Sequence, residues 1–419
     1  MKVLHICTRD SGGAGRGAIN VHRGLKALGV DSKLLVLERL TKDEDVVPFT
    51  QKFNIIHRLL NRVRSNAVRS ELAVYQKARF RKSDLFSDNR SIYAVGVHPL
   101  VREANIIVLH WIPHMVDVQE FFSRIEGRSI VWTLHDMNAF TGGCHYAEDC
   151  MRYKTGCGCC PQLGSIDPND LSRQIFKRKE ASYRKCRIYI AAGSEWLAER
   201  ARGSLLFKGC DIRTIHYSVD TSIFVKKDKY SSRELVGLPK DETIILFGAD
   251  YFPGRKGLKY LIEALRLLRN KTKITKIALA IFGKIDPANI SKITDIPVYM
   301  LGKVNDDKLL SLYYNACDIF TIPSLEEVFG QVCLESMACG TPAVGFDVGG
   351  IPEMIIPGKT GLLASKKDSE SLAKQLAWMI DNPRERETMA ENGIRLVDQE
   401  YTIEVQAKRY LKLFEKVLQ

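Results

Sequence analysis

The sequence predicts an α/β protein made of two doubly wound domains, each built on a parallel sheet. Three observations carry that expectation. The chain has 419 residues, more than one hydrophobic core ordinarily supports. Short Val- and Ile-rich runs alternate with amphipathic stretches, the rhythm of βαβ units. That rhythm then restarts halfway along the chain.

The first series of apolar runs occupies 3–7, 32–37, 106–109, 130–134 and 188–192, and the second 243–248, 277–282, 298–301, 319–322 and 343–346. Between them, 220–228 reads DTSIFVKKD, polar and without period, which marks a linker. The expected domains are therefore 1–222 and 223–401. In 402–419 the apolar residues Val405, Tyr410, Leu411, Leu413, Phe414 and Val417 share one helical face, so this terminal helix needs a docking surface.

Composition narrows the function classes. With 45% hydrophobic and 26% charged residues the chain is neither disordered nor fibrous. The N-terminus lacks the length and cleavage site of a secretory signal, and no run of about eighteen apolar residues occurs, so a cytoplasmic location without a membrane span is expected. Eleven cysteines in such a chain point to free thiols or metal ligation rather than disulfides. The net charge of +13 calls for an acidic partner. Nothing resembling a base-stacking platform accompanies that charge, so nucleic acid is not expected.

Two stretches offer phosphate-binding backbone. After the first strand, 11–18 reads SGGAGRGA and opens an amphipathic run, so Gly12 and Gly13 sit where free N–H groups meet a helix start. A tight strand-to-helix turn accounts for them equally well. The second stretch, 323–342, reads PSLEEVFGQVCLESMACGTP. If a helix begins near Gly330, Glu327 precedes it and Glu335 falls on its second turn. Carboxylates accept hydrogen bonds from sugar and ribose hydroxyls, and a helix start between them suits a diphosphate.

This second stretch, with 347–353 (DVGGIPE) and 358–361 (GKTG) after it, resembles glycosyltransferase family 4, retaining enzymes of the GT-B fold. The resemblance implies two Rossmann-like domains facing a crevice, with the terminal helix returning to the first. It implies that Glu327 contacts the donor sugar and Glu335 the ribose, with Val328, Phe329 and Gly330 also at the donor. Val328 departs from the family, which usually has glycine there. The run 254–258 (GRKGL) resembles the family's Lys-Gly phosphate clamp, which makes Lys256 the neutraliser of the leaving diphosphate. The family commonly carries an arginine about five positions earlier; Tyr251 stands there, and Arg255 is the candidate substitute. His135, in 132–136 (WTLHD), resembles the active-site histidine, with Asp136 as a candidate to orient its ring. His110 and Trp111 are weaker acceptor candidates.

Five cysteines crowd between Cys144 and Cys160, an arrangement that resembles family members from colanic acid, capsular and exopolysaccharide synthesis. Cys144, Cys150, Cys157 and Cys160 suit a closed structural zinc site, though a packed loop of reduced thiols explains them as well. Finally, 52–82 is basic and amphipathic, consistent either with peripheral contact on an anionic bilayer or with a solvated insertion.

The expected activity is retaining, metal-independent transfer of a hexose-type sugar from a nucleotide diphosphate, UDP favoured over GDP, to a saccharide acceptor, lipid-linked, in bacterial surface polysaccharide synthesis. No catalytic cofactor is expected. The alternatives are a GT-B sugar-nucleotide epimerase and a non-catalytic GT-B subunit that supports a partner transferase.

Overall fold

The structure is a computed structural model that describes residues 1–51, 66, 68, 70–75, 85–249, 254–271, 276–284 and 296–419. It divides into two compact units, Met1–His216 with Gln406–Gln419, and Tyr217–Val405. The first break falls six residues before the expected boundary at 222.

In the first unit seven parallel strands are described: β1 (Lys2–Arg9), β2 (Asp31–Glu38), β3 (Val46–Pro48), β4 (Ile106–Leu109), β5 (Ser129–Leu134), β6 (Arg187–Ala192) and β7 (Asp211–Thr214). Their order is β3-β2-β1-β4-β5-β6-β7, so the winding reverses between β1 and β4. Helices cover such a sheet on both faces, which is why the central strands read as unbroken apolar runs rather than alternating ones.

The terminal helix Ile403–Leu418 completes this unit's core. Ala407, Tyr410, Leu413, Phe414 and Val417 pack in one cluster with Val3, Val21, Ile106, Val108, Val131 and Tyr189. Buried Gln406 interrupts the apolar stripe, and its side-chain amide donates to the His216 carbonyl at 2.7 Å. Tyr410 and Thr133 share a buried hydrogen bond of 2.7 Å.

The second unit has six described strands: β8 (Thr243–Ala249), β9 (Ile277–Gly283), β10 (Val298–Gly302), β11 (Ile319–Ile322), β12 (Ala343–Phe346) and β13 (Gly361–Ala364). They are parallel in the order β10-β9-β8-β11-β12-β13, and the winding reverses between β8 and β11. In open sheets of this kind, ligands bind beyond the carboxyl ends of the two strands that flank the reversal. Lys256 follows β8 and Glu327 follows β11.

No helix among the described residues is long and apolar enough to cross a membrane. Most of the basic stretch 52–82, including Arg58, Arg62, Arg64, Arg69, Lys77, Arg79 and Arg81, lies outside the described residues, as does Tyr251.

Candidate active site

The loops after β8 and β11 are locked together by backbone. Gly257 adopts φ +74°, and a Cβ there would stand 1.8 Å from the Pro323 carbonyl oxygen, so only glycine lets the two loops approach. The Leu325 amide donates to the Arg255 carbonyl at 2.8 Å. This contact sets Lys256 against Glu327, whose carboxylate takes the lysine ammonium directly. Arg255 binds the Glu326 carbonyl at 2.8 Å, with its guanidinium 4.0 Å from the Glu327 carboxylate. Ser324, which the sequence did not single out, donates to the same carboxylate oxygen at 3.4 Å.

Burial alone would raise the Glu327 carboxyl, but the Lys256 and Arg255 charges and the Lys256 and Ser324 hydrogen bonds outweigh it and hold the group below the usual carboxylate range. Glu327 is therefore anionic at neutral pH. The backbone behind it is equally fixed. The Gly350 amide donates to the Glu327 carbonyl at 3.1 Å, in a turn that brings Gly349 against it at φ +59°.

The helix Gln331–Ala338 begins after Gly330, which takes φ +96° as its N-cap. Glu335 falls on the second turn, buried, and accepts the Tyr314 hydroxyl at 2.9 Å. Tyr314 is another participant without a sequence motif. The side chains of Val328 and Phe329 are buried, and the Phe329 ring meets Tyr401 and Tyr217 with centroids 5.5 and 5.8 Å away. At these two positions only backbone is available to a ligand, which places less weight on the departure at Val328.

In the first unit, Gly12 and Gly13 open the helix Gly12–Ala27 and are exposed. His135 directly follows β5 and stands in a row of imidazoles: His5 Nδ1 lies 3.0 Å from His110 Nε2, and His110 Nδ1 lies 3.0 Å from His135 Nε2. Burial pushes His5 and His110 well below the ordinary histidine value and His135 down to about 4. Asp136 does not orient His135 as expected. Its carboxylate instead takes His145 Nδ1 at 2.6 Å and the Trp111 indole at 3.0 Å, and His145 Nε2 meets Ser87 at 2.8 Å. Burial would raise the Asp136 carboxyl, yet His145 keeps it low. Trp111 is thereby committed to this network.

Cys144, Cys150, Cys157 and Cys160 line one cavity of about 20 Å³, and all four are free thiols. Among the described residues, the one group that brings three metal-binding atoms within 4.8 Å of one another is His22, Asp43 and Asp45. No three of the four cysteine sulfurs lie that close to one another.

Residues 228–396, the stretch that carries Lys256, Glu327 and Glu335, match the family of glycosyl transferases group 1. D-inositol 3-phosphate glycosyltransferase 2 of Catenulispora acidiphila is 30% identical over 194 residues, 44% of this chain and 45% of that protein. An uncharacterized glycosyltransferase of Methanocaldococcus jannaschii is 31% identical over 165 residues, 39% of this chain and 45% of that one. The chain spans about half the length of the curated relatives it matches. Among solved structures, sucrose-phosphate synthase from Thermosynechococcus elongatus superposes with a TM-score of 0.67 at 18% identity, covering 100% of this chain and 99% of that one. Anabaena HepE, solved with UDP-glucose, gives 0.65 at 17%, covering 99% and 100%. These likenesses establish the fold: the chain has the two Rossmann-like domains of GT-B glycosyltransferases, and within it residues 228–396 are similar to glycosyl transferases group 1.

Proposed function

We propose that the protein is a retaining glycosyltransferase that moves a hexose-type sugar from a nucleotide diphosphate to a saccharide acceptor. The observation that carries this reading is the Lys256–Glu327 pair beyond the carboxyl ends of β8 and β11, the two strands where the second sheet reverses its winding. An ammonium and a carboxylate side by side match the two ends of an activated sugar. The cation suits the diphosphate, and the anion suits sugar hydroxyls.

In this reading the second unit holds the donor. Glu327 positions the sugar, Glu335 takes the ribose, and the backbone from Val328 to Gly330 leads into the helix start that meets the phosphates. As the anomeric carbon–oxygen bond breaks, its electron pair goes to the β-phosphate oxygen, where Lys256, assisted by Arg255, stabilises the charge. The acceptor oxygen bonds to the same face of the anomeric carbon, and its proton passes to the departing phosphate. No metal is needed for that step. The first unit takes the acceptor, with His135 at the reacting sugar and Gly12 and Gly13 toward phosphate. UDP is favoured over GDP as the donor base, in line with HepE, whose solved complexes hold UDP and UDP-glucose. A lipid-linked saccharide of the bacterial surface is the favoured acceptor. The basic stretch 52–82 provides a peripheral contact with an anionic membrane face.

The test begins with nucleotide sugars ranked by thermal shift, because a ligand that binds only the folded chain raises its apparent stability. The best donor is then incubated with and without saccharide acceptors while nucleoside diphosphate release is followed. Acceptor-dependent release that falls by about 10²–10³ in Lys256→Ala supports the reading, as for other lost transition-state charge contacts. Turnover of donor alone favours the epimerase, and donor binding with no product favours the supporting subunit. Undiminished turnover in Lys256→Ala overturns the clamp.

A further inference from the structure

We propose that Cys144, Cys150, Cys157 and Cys160 ligate one structural zinc ion that braces the long loop between β5 and the helix Leu171–Tyr183.

The loop needs a brace of some kind. From Asp136 to Asp170 it holds only two single-turn helices, Asn138–Phe140 and Arg152–Lys154. Its backbone passes through positive φ at Gly143, Glu148, Gly156, Cys157, Gly158, Cys159 and Gly164, and three of these are not glycine. A segment so irregular has little secondary structure to hold it, and strained residues persist only where surrounding contacts over-determine them.

The four cysteines come from separate turns of this loop and meet at one cavity of about 20 Å³. That is room for a single water-sized occupant. Cys159, between two of them in sequence, is turned away, and its thiol donates to the Ile166 carbonyl at 3.2 Å. The sulfurs that face the cavity are instead approached by donors. The Gly142 amide reaches Cys157 Sγ at 3.2 Å, and the backbone N–H groups of Gln162 and Leu163 reach Cys160. The last pair has the two-residue spacing found in structural zinc sites.

Charge balance points the same way. Lys179 is buried beside the loop, and its ammonium bonds the carbonyl oxygens of Asn138 and Thr141 rather than a carboxylate. A buried cation needs a compensating anion. Four thiolates around one Zn²⁺ carry a net charge of −2, which adds to the Asp136 and Asp88 charges already acting on Lys179. Each thiol gives up its proton to solvent as the ion binds, and rotation of the cysteine side chains draws the sulfurs inward. With all four positions filled by protein, the ion has no site for substrate. Its role is architectural: Cys144 precedes His145, whose imidazole holds Asp136 and so the residue next to His135. This inference does not depend on the proposed transferase activity.

The experiment measures zinc by plasma mass spectrometry in the full-length protein purified without chelator, together with thiol reactivity before and after chelation. The expected result is about one zinc per chain, the number a single four-thiolate site holds, with four thiols that react only once the metal is removed. Cys157→Ser should lose the zinc. If that variant folds poorly, the unmodified protein still decides through its metal content and thiol protection. Asp43→Asn with Asp45→Asn dismantles the other candidate group and should leave the zinc in place. Zinc-free protein with four freely reactive thiols, disulfides in the unreduced mass spectrum, or zinc lost with Asp43 and Asp45 but kept in Cys157→Ser would each overturn the proposal.

Discussion

His110 presents Nδ1 to Nε2 of His135 across 3.0 Å, and its other nitrogen faces His5 at the same distance. Each neutral imidazole carries one N–H. Two successive nitrogen–nitrogen hydrogen bonds must therefore run in one sense, and fixing the proton on one ring fixes it on all three. His5 and His110 are positioning residues for His135, well inside the first unit.

This row has a pH signature. Burial lowers His5 and His110 well below the ordinary value, and His135 and His22 to about 4. A base whose folded value is depressed leaves the unfolded chain binding more protons as pH falls below the unfolded value near 6.5. Stability is then complete above pH 6.5 and declines toward pH 4, by about 1.4 kcal/mol per pH unit for each group. Urea unfolding at pH 7.5, 6.5 and 5.5 should show this decline, and His5→Phe should shallow it. Equal stability at the three pH values would show that the row is not buried in its neutral form.

How far the sequence revealed this molecule follows from where its residues are buried. Nine of the ten strands expected from the sequence are central, and they stand out because a parallel sheet covered on both faces demands unbroken apolar runs, as in Ile106–Leu109 and Ala343–Phe346. Of the edge strands β10 was also legible, from its run 298–301, but β3, β7 and β13 were not. They read VVP, DIRT and GLLA, three or four residues with a partner on one side only. Glu327 and Lys256 were legible because each sits in a local motif. His5, Ser324 and Tyr314 were not, because each reaches its partner only through tertiary contact. Asp136 was misassigned for the same reason: His135 is its neighbour in sequence, but His145 is its neighbour in space.

Tyr314 donates to Glu335 at 2.9 Å in a buried setting. Tyr314→Phe removes one donor from a carboxylate while keeping the ring, at a cost of about 1–2 kcal/mol to whatever Glu335 holds. If Glu335 binds the ribose, KM for the donor should rise roughly tenfold with kcat little changed. A fall in kcat at constant KM would place Glu335 at the reacting centre instead.

Asp318 is the charge centre of the second unit. Its carboxylate takes the buried Arg233 guanidinium at 2.6 Å, Lys229 at 2.8 Å and the Ile244 amide at 2.8 Å. Burial would raise this carboxyl, but Lys229 and Arg233 keep it below the ordinary value. Its contribution is thus present above the unfolded carboxylate range and is lost as pH falls through the folded value. Asp318→Asn leaves Arg233 charged and buried without an anion, a loss of about 3–5 kcal/mol. Chemical unfolding should register that loss at pH 7. A change within experimental error would mean that water reaches Arg233.

Gly349 tests whether Glu327 acts as a fixed anion or merely as a nearby one. At φ +59° a Cβ would stand 1.8 Å from the Glu327 carbonyl oxygen and 2.9 Å from its carbonyl carbon. No side-chain rotation relieves a backbone clash, so in Gly349→Ala the turn 347–350 and the Glu327 backbone must separate. The Gly350 amide bond to Glu327 breaks with them. Positive φ adds about 1–2 kcal/mol for a non-glycine residue, before the clash is counted. Donor affinity and turnover should fall together while Lys256 is untouched. The informative control is Gly358→Ala, where φ is +75° but no atom lies within 4 Å of the added carbon. Backbone strain alone would lower stability in both variants. If only Gly349→Ala loses activity, the position of Glu327 governs the reaction; equal losses would mean that the turn matters for folding alone.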